Sequence, residues 1–357
     1  MDAGLENVVA AETVLSDVDG AAGRLVLRGH ELNELAGRVS FEEVVHLLWS
    51  GFFQDLPEAA GMQAALGKAR VEVFARLPAF PADLGAVEAL RIGLAHIADG
   101  DDIEVALRLV AAGPVYTAAA ARRMQGRAPV APDPTLSHAA DFLRMLTGVP
   151  ANAPDAAAAL DAYLVTIADH GLNASTFAAR VVASTQAGLA SATIAGLSAL
   201  KGPLHGGAPG PVLDMIDAIG TPANAEPWID AALTSGDRLM GFGHRVYRVR
   251  DPRADALKAA IVKLPKTTGR LAFAEAIESA ALNKLAARHP TRKLETNVEF
   301  YTALLLEALQ IPRAAFTCVF ACGRLAGWIA HAREQLATGR LVRPQSVYVG
   351  PRTRAAA

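Results

Sequence analysis

Apolar residues recur three and four positions apart along most of this chain, the spacing of one face of a helix. FEEVVHLLWSGFF after Ser40 predicts an amphipathic helix, with Ser40 as its N-cap and Glu43 completing a capping box. The same spacing returns in EVALRLVAAG, AADFLRMLTG, ALDAYLVTIADHG, the run over 176–200, FAEAIESAALNKLAARH and EFYTALLLEALQ. Alternation of the strand type is scarce, and GRLVLRG near the start is its best instance. This mix predicts an all-α class with little sheet.

VVASTQAGLASATIAGLSAL, from Val181 to Leu200, is long enough to cross a bilayer but is built mostly of Ala, Gly, Ser and Thr. Such a composition inserts poorly, so the run predicts a helix buried in the protein interior or a subunit interface. Its small residues Ala183, Gly188, Ala192 and Gly196, spaced about a helical turn apart, would let another helix approach closely. Pro, Gly and Ala clusters predict long connections over 112–136 and 149–158. The clearest internal breaks are KGPLHGGAPG at 201–210 and QIPRAAFT at 310–317, with a more charged segment between them. No fixed-period repeat or phosphate-binding loop is present, since GFGHRV lacks the preceding strand and third glycine of a dinucleotide fingerprint.

With 357 residues, 52% apolar and 20% charged, the chain predicts a folded protein of two domains, or of one large helical domain with an insertion. A formal net charge of −2 argues against nucleic acid or an anionic membrane as partner, so any anionic ligand needs a local arginine cluster. Cys318 and Cys322, four apart, lack further zinc ligands and predict buried free thiols. A reducing, cytoplasmic setting is the matching expectation. The N-terminus has early acids and no basic region of the signal-peptide kind.

Candidate chemistry concentrates in glycine-flanked histidines. His170 in ADHGLNAST, His205 in GPLHGGA and His244 in GFGHRVY stand in polar loop contexts, whereas the other six histidines read as structural. A single one would serve equally well as a turn residue; three beside further polar groups point to a site. Arg245, Arg248, Arg250 and Arg253 follow His244, and Arg324 and Arg343 come late. Guanidinium forks of this kind bind carboxylates or phosphates. Glu299 follows Asn297, and taken alone it reads as a first-turn acid behind a good N-cap.

Taken together, GLENVVAAETV with GRLVLRGHELNELAGRVSFEEVVHLLWSG, ADHGLNAST, KGPLHGGA, GFGHRVYRVRDPRA, NVEFYTALLLEALQIP and GRLAGWIAH with RLVRPQSVYVG resemble the citrate synthase family, in order and nearly end to end from about Gly4. The resemblance implies a large helical domain from 1–206 and 316–357 and a small helical domain over 207–315 that closes on the site. It implies Claisen-type condensation of acetyl-CoA with oxaloacetate and hydrolysis of the thioester, with acyl-CoA a substrate and no permanently bound cofactor or metal. It places Glu299 as the carboxylate base, His205 as donor to the enolate oxygen and His244 as donor to the keto oxygen. His170, Arg253 and Arg324 then hold oxaloacetate, Ser175 bonds His205, and Arg248 lies near the CoA phosphates. Arg343 would reach the site from the second subunit of a homodimer.

Several positions depart from the family pattern. Glu299 stands where Asp is usual, Gly171 where Glu is, Pro209 where Asn is, Thr296 where Pro is and Leu27 where Tyr is. These departures keep two other readings open: 2-methylcitrate formation from propionyl-CoA, and a weakly active paralogue that binds CoA or a dicarboxylate.

Overall fold

The computed structural model describes residues 4–5, 8–81, 83–149, 154–206, 209–244, 246–265 and 268–351. It opens with a small antiparallel sheet, β1 (Ser16–Asp19), β2 (Arg24–Leu27) and β3 (His30–Glu31), in which Ser16 pairs with Leu27 and Leu27 with His30. Helices follow: α1 (Leu32–Leu35), α2 (Phe41–Trp49), α3 (Met62–Phe74), α4 (Ala86–Ala95), α5 (Ile103–Met124), α6 (His138–Thr147), α7 (Pro154–Ile167), α8 (Ala174–Ala183) and α9 (Leu189–Leu200). Beyond the 201–206 turn come α10 (Pro209–Ile219), α11 (Ala225–Ser235), α12 (Pro252–Val262), α13 (Thr268–Arg288), α14 (Val298–Ala308) and α15 (Phe316–Thr338). The mainly helical expectation holds, and GRLVLRG supplies β2.

Local signals behave as their chemistry dictates. Ser40 accepts from the Glu43 N–H, and Glu43 accepts from the Ser40 N–H at 2.7 Å, closing the capping box of α2. Asn297 caps α14 by accepting from the Glu299 N–H at 3.0 Å. Two expectations fail. The connection expected at 112–136 begins only after Met124, because α5 runs straight through Gly113 and Pro114. Proline there costs one helix bond, but every residue from Ala111 to Ala121 is buried, and that packing outweighs the loss. The second expected connection, 149–158, ends early because α7 starts at Pro154; residues 150–153 lie outside those described.

The run over 176–200 is likewise two helices rather than one. It breaks at Gln186 and Gly188, both at positive φ (64° and 101°), a backbone state that a helix does not hold. The two pieces, α8 and α9, pack against each other and against α15. Small residues still work there as expected: a Cβ on Gly196 would meet the Trp328 indole at 2.7 Å.

Helix α15 is the axis of the molecule and touches α2, α5, α7, α8 and α9. It is apolar around most of its circumference, as a fully enclosed helix must be. Residues 103–124 and 313–338 match a membrane span in length and hydropathy, but 83% and 89% of their most apolar windows are buried inside this fold. Cys318 and Cys322 on α15 are buried free thiols.

Close contact between α15 and the end of α7 needs two glycines. A Cβ on Gly323 would meet the Leu164 carbonyl oxygen at 2.9 Å, and one on Gly327 would meet that of Ala168 at 2.3 Å. Replacing Gly327 by Ala is expected to push the helices apart and cost about 1–3 kcal/mol, read as a lower urea midpoint. Gly210, whose Cβ would have open space, gives the control variant Gly210→Ala. Equal midpoints for the two variants would refute the close crossing.

Candidate active site

Between Gly323 and Gly327, Arg324 is buried at 1% exposure and its Nε donates to the Ile167 carbonyl at 2.6 Å. Among the described residues it has no ion-pair partner. Burial pulls its pKa down to about 10, with Asp169 opposing and Arg253 adding to the fall. A buried cation without a paired carboxylate is costly unless a ligand supplies the anion.

The segment after α7 carries His170, and buried groups fix that segment. Asp169 accepts from Ser16 Oγ at 2.5 Å and faces His331 Nε2 at 3.1 Å. His331 Nδ1 lies 2.9 Å from Arg180 Nη1. Arginine only donates, so Nδ1 accepts and Nε2 carries the proton toward Asp169. Ser16 Oγ also accepts from the Gly171 N–H at 3.0 Å. Gly171 itself has φ 59°, where any side chain is strained, which accounts for the departure from Glu.

His170 Nε2 stands 3.1 Å from the Tyr247 hydroxyl, and its ring meets that of His244 edge-on, centroids 5.7 Å apart. Burial first, then Arg253, Arg324, His244 and His205, holds its pKa well below the ordinary imidazole value. Those four perturbing groups are the sequence-predicted neighbours, now gathered around one volume.

The backbone N–H groups of Val246 and Tyr247 both donate to His244 Nδ1, at 3.0 and 3.1 Å. Nε2 therefore carries the proton, and it lies 3.2 Å from Arg253 Nη2, a second donor. Two donors side by side suit a shared oxygen acceptor. Burial, then Arg253, brings the His244 pKa down to about 4, so the ring is neutral at pH 7. Arg253 is buried in the first turn of α12 and forked on Asp251, at 3.0 Å from Nε and 2.8 Å from Nη2. Asp251 also caps α12 and accepts from the Val298 N–H at 3.1 Å, tying this loop to the start of α14.

Glu299 follows in the first turn of α14. Its Oε2 is sealed from solvent without a hydrogen-bond partner. Burial raises its pKa to about 7, against the pull of Arg253 and with a push from Asp251. The capping reading of Asn297 is right, but the acid is more than a dipole partner.

His205 sits in the 201–206 turn, its Nε2 2.8 Å from Ser175 Oγ. Burial, then Arg324 and Arg253, brings its pKa to about 4. Ser175 Oγ is also 2.7 Å from Asn173 Oδ1 and accepts from Trp328 Nε1 at 3.2 Å. One hydroxyl proton therefore has two acceptors in reach.

The remaining sequence candidates lie apart. Arg248 is exposed, its backbone N–H bonded to Gly20 O at 2.8 Å, and it acts on His244 only through its charge. Arg250 is committed to Glu278 and Asp255, and Arg245 lies outside the described residues. Arg343 is exposed in the extended segment after α15 and does not join the cluster within one chain.

Sequence reasoning missed Tyr247, Asp251, Trp328 and Glu278. Glu278 accepts from Thr296 Oγ1 at 2.6 Å, Tyr301 Oη at 2.6 Å and Arg250 Nη1 at 2.7 Å, which gives the unusual Thr296 a partner that proline would lack. The Asp-Pro pair at 251–252 is a helix-start signal that foretold the cap. Trp328, four residues after Arg324, shares its helix face.

The family described as citrate synthase, C-terminal domain, matches residues 4–345. The citrate synthase of Haloferax volcanii is 38% identical, over 97% of this chain and 95% of its own. The 2-methylcitrate synthase of Mycobacterium tuberculosis is 36% identical, over 97% and 90%. A solved citrate synthase of Thermoplasma acidophilum, in ternary complex with carboxymethyl coenzyme A and oxaloacetate, superposes with a TM-score of 0.88 at 28% identity, covering 100% of this chain and 98% of that one. With the family match running over nearly its whole length and relatives of 36–38% identity aligned almost throughout, this chain belongs to the citrate synthase family.

Proposed function

We propose that this protein condenses acetyl-CoA with oxaloacetate and hydrolyses the resulting thioester to citrate and CoA. The observation that carries the reading is the pair of buried guanidiniums, Arg253 and Arg324, beside neutral histidines and the sealed Glu299 carboxyl. Arg253 is balanced by Asp251 while Arg324 has no ion-pair partner among the described residues, so an anionic ligand is what such a pocket lacks, and a raised carboxyl is a base poised near neutral pH.

In this reading Glu299 takes a proton from the carbon next to the thioester, and the C–H electrons move onto the thioester oxygen. His205 stabilises that oxygen. Its Nε2 faces Ser175, so Nδ1 is the nitrogen left for substrate, and it donates there once the Ser175 proton turns from Asn173 to Nε2. The enolate carbon then attacks the keto carbon of oxaloacetate, whose oxygen receives hydrogen bonds from His244 Nε2–H and Arg253. His170 and Arg324 hold the carboxylates, and Arg248 lies toward the CoA phosphates. Water finally cleaves the thioester.

The segment 207–315 acts as the small lobe, its boundary at 207–208 falling outside the described residues. A homodimer completes the site by bringing in Arg343. The exposed apolar side chains around it, Leu341, Val347, Tyr348 and Val349, favour burial against a second copy. Propionyl-CoA is the second acyl substrate to consider, because a 2-methylcitrate synthase is among the relatives. One methyl group decides only about 1–3 kcal/mol of selectivity.

Release of free thiol from acetyl-CoA and from propionyl-CoA, each with oxaloacetate, tests the reading. Turnover of acetyl-CoA is expected, and Glu299→Gln is expected to slow it by about 10²–10⁴-fold. Full rate in Glu299→Gln would remove the base assignment, no release with either thioester would remove the enzyme, and faster propionyl turnover would select the methylcitrate reading. Because the base works as carboxylate and its pKa is about 7, kcat/KM should climb as pH rises through that value; a profile flat from pH 6 to 8 contradicts this. Sedimentation should give a dimer, and Arg343→Ala should raise the KM for oxaloacetate without dissociating it. An unchanged KM would place Arg343 outside the site.

A further inference from the structure

Three buried polar atoms stand together without partners: Glu299 Oε2, Thr302 Oγ1 and the Tyr163 hydroxyl. Glu299 and Thr302 lie three residues apart on α14, and so on one face, while Tyr163 lies on α7, which packs against α14. Tyr163 and Thr302 are both 0% exposed. Buried hydroxyls and carboxylates in folded proteins almost always have partners, so three such atoms at one helix contact demand a common one.

We infer that one water molecule is bound between Tyr163, Thr302 and Glu299, donating a hydrogen bond to Glu299 Oε2 and accepting from the two hydroxyls. This census satisfies all three atoms with three hydrogen bonds, the usual number for a buried water. The inference rests on Glu299 being the base and adds its positioning. Oε2 is held against the water, so the other carboxylate oxygen is the one left for the acyl carbon. The extra methylene of Glu, relative to Asp, carries the carboxyl toward this hydroxyl pair.

Electrostatics point the same way. After burial, the charge of Glu299 is the next cause that raises the Tyr163 phenol above its ordinary pKa, and the approach of the Thr302 hydroxyl toward the phenol, short of a well-formed hydrogen bond, opposes it, so the three groups sense one another. The other charges that bear on Glu299 are Arg253 on α12, Asp251 before it and Arg324 on α15; Cys322 on α15 bears on Tyr163. A water donating to Oε2 favours the carboxylate, so losing it raises the pKa of the base.

The test combines a crystal structure with two isosteric variants. Density for a water within hydrogen-bond distance of all three atoms is expected in the wild-type enzyme. Tyr163→Phe should move the acid limb of kcat/KM upward by about half a unit to one unit, with the KM for oxaloacetate unchanged. Thr302→Val should shift the limb in the same direction, and Thr302→Ser should restore it. A structure without that water, or with the phenol bonded directly to Oε2, overturns the inference, as does an unmoved acid limb in Tyr163→Phe. Loss of the base assignment itself would appear separately, as full activity in Glu299→Gln.

Discussion

The hydrogen bond from Arg324 Nε to the Ile167 carbonyl is the contact on which the site depends. It forms only because Gly323 and Gly327 let α15 lie against the end of α7. That crossing places a cation beside the chain that turns into His170. It also puts Trp328 beneath Ser175, and Ser175 beside His205. One helix contact thereby sets a buried cation and the support of the His205 ring together.

The two buried arginines also decide what the histidines are. Beside Arg253 and Arg324, and out of water, a second positive charge on His170, His205 or His244 is disfavoured. The rings remain neutral at physiological pH, so they can serve only as neutral hydrogen-bonding groups. Glu299 experiences the opposite balance: desolvation outweighs the two guanidiniums, and its carboxyl ends near neutrality. The same enclosure therefore produces neutral imidazoles and a carboxyl that titrates near neutral pH.

Much of this was legible in the chain. Helical spacing, the Ser40 and Asn297 caps and the glycine-flanked histidines are local properties, and each appears where the pattern put it. The rest depends on distant partners. Nothing local distinguishes Gly113-Pro114 inside α5 from a connection, since core burial decides it. The break at Gln186 and Gly188 was hidden by the small residues on either side. Glu278 looks like any helical acid until Thr296, Tyr301 and Arg250 converge on it from other elements. Glu299 reads as a cap acid in isolation, and only its enclosure raises its pKa toward neutral.

The hairpin at the start of the chain has a bearing on how the protein is made. Gly20, in the turn between β1 and β2, accepts from the Arg248 N–H, and a Cβ there would meet the Val246 carbonyl oxygen at 2.2 Å. Nearby, the Val14 N–H donates to Glu334 on α15, 320 positions away. Residues 14 and 20 thus find their places only once partners made much later have emerged. Contacts of such sequence separation close slowly, and until α15 emerges the apolar faces of α5, α7, α8 and α9 have no axis to cover them. The nascent chain carries that exposed surface for most of its synthesis, which makes the period before release, rather than the finished fold, its time of greatest risk of aggregation.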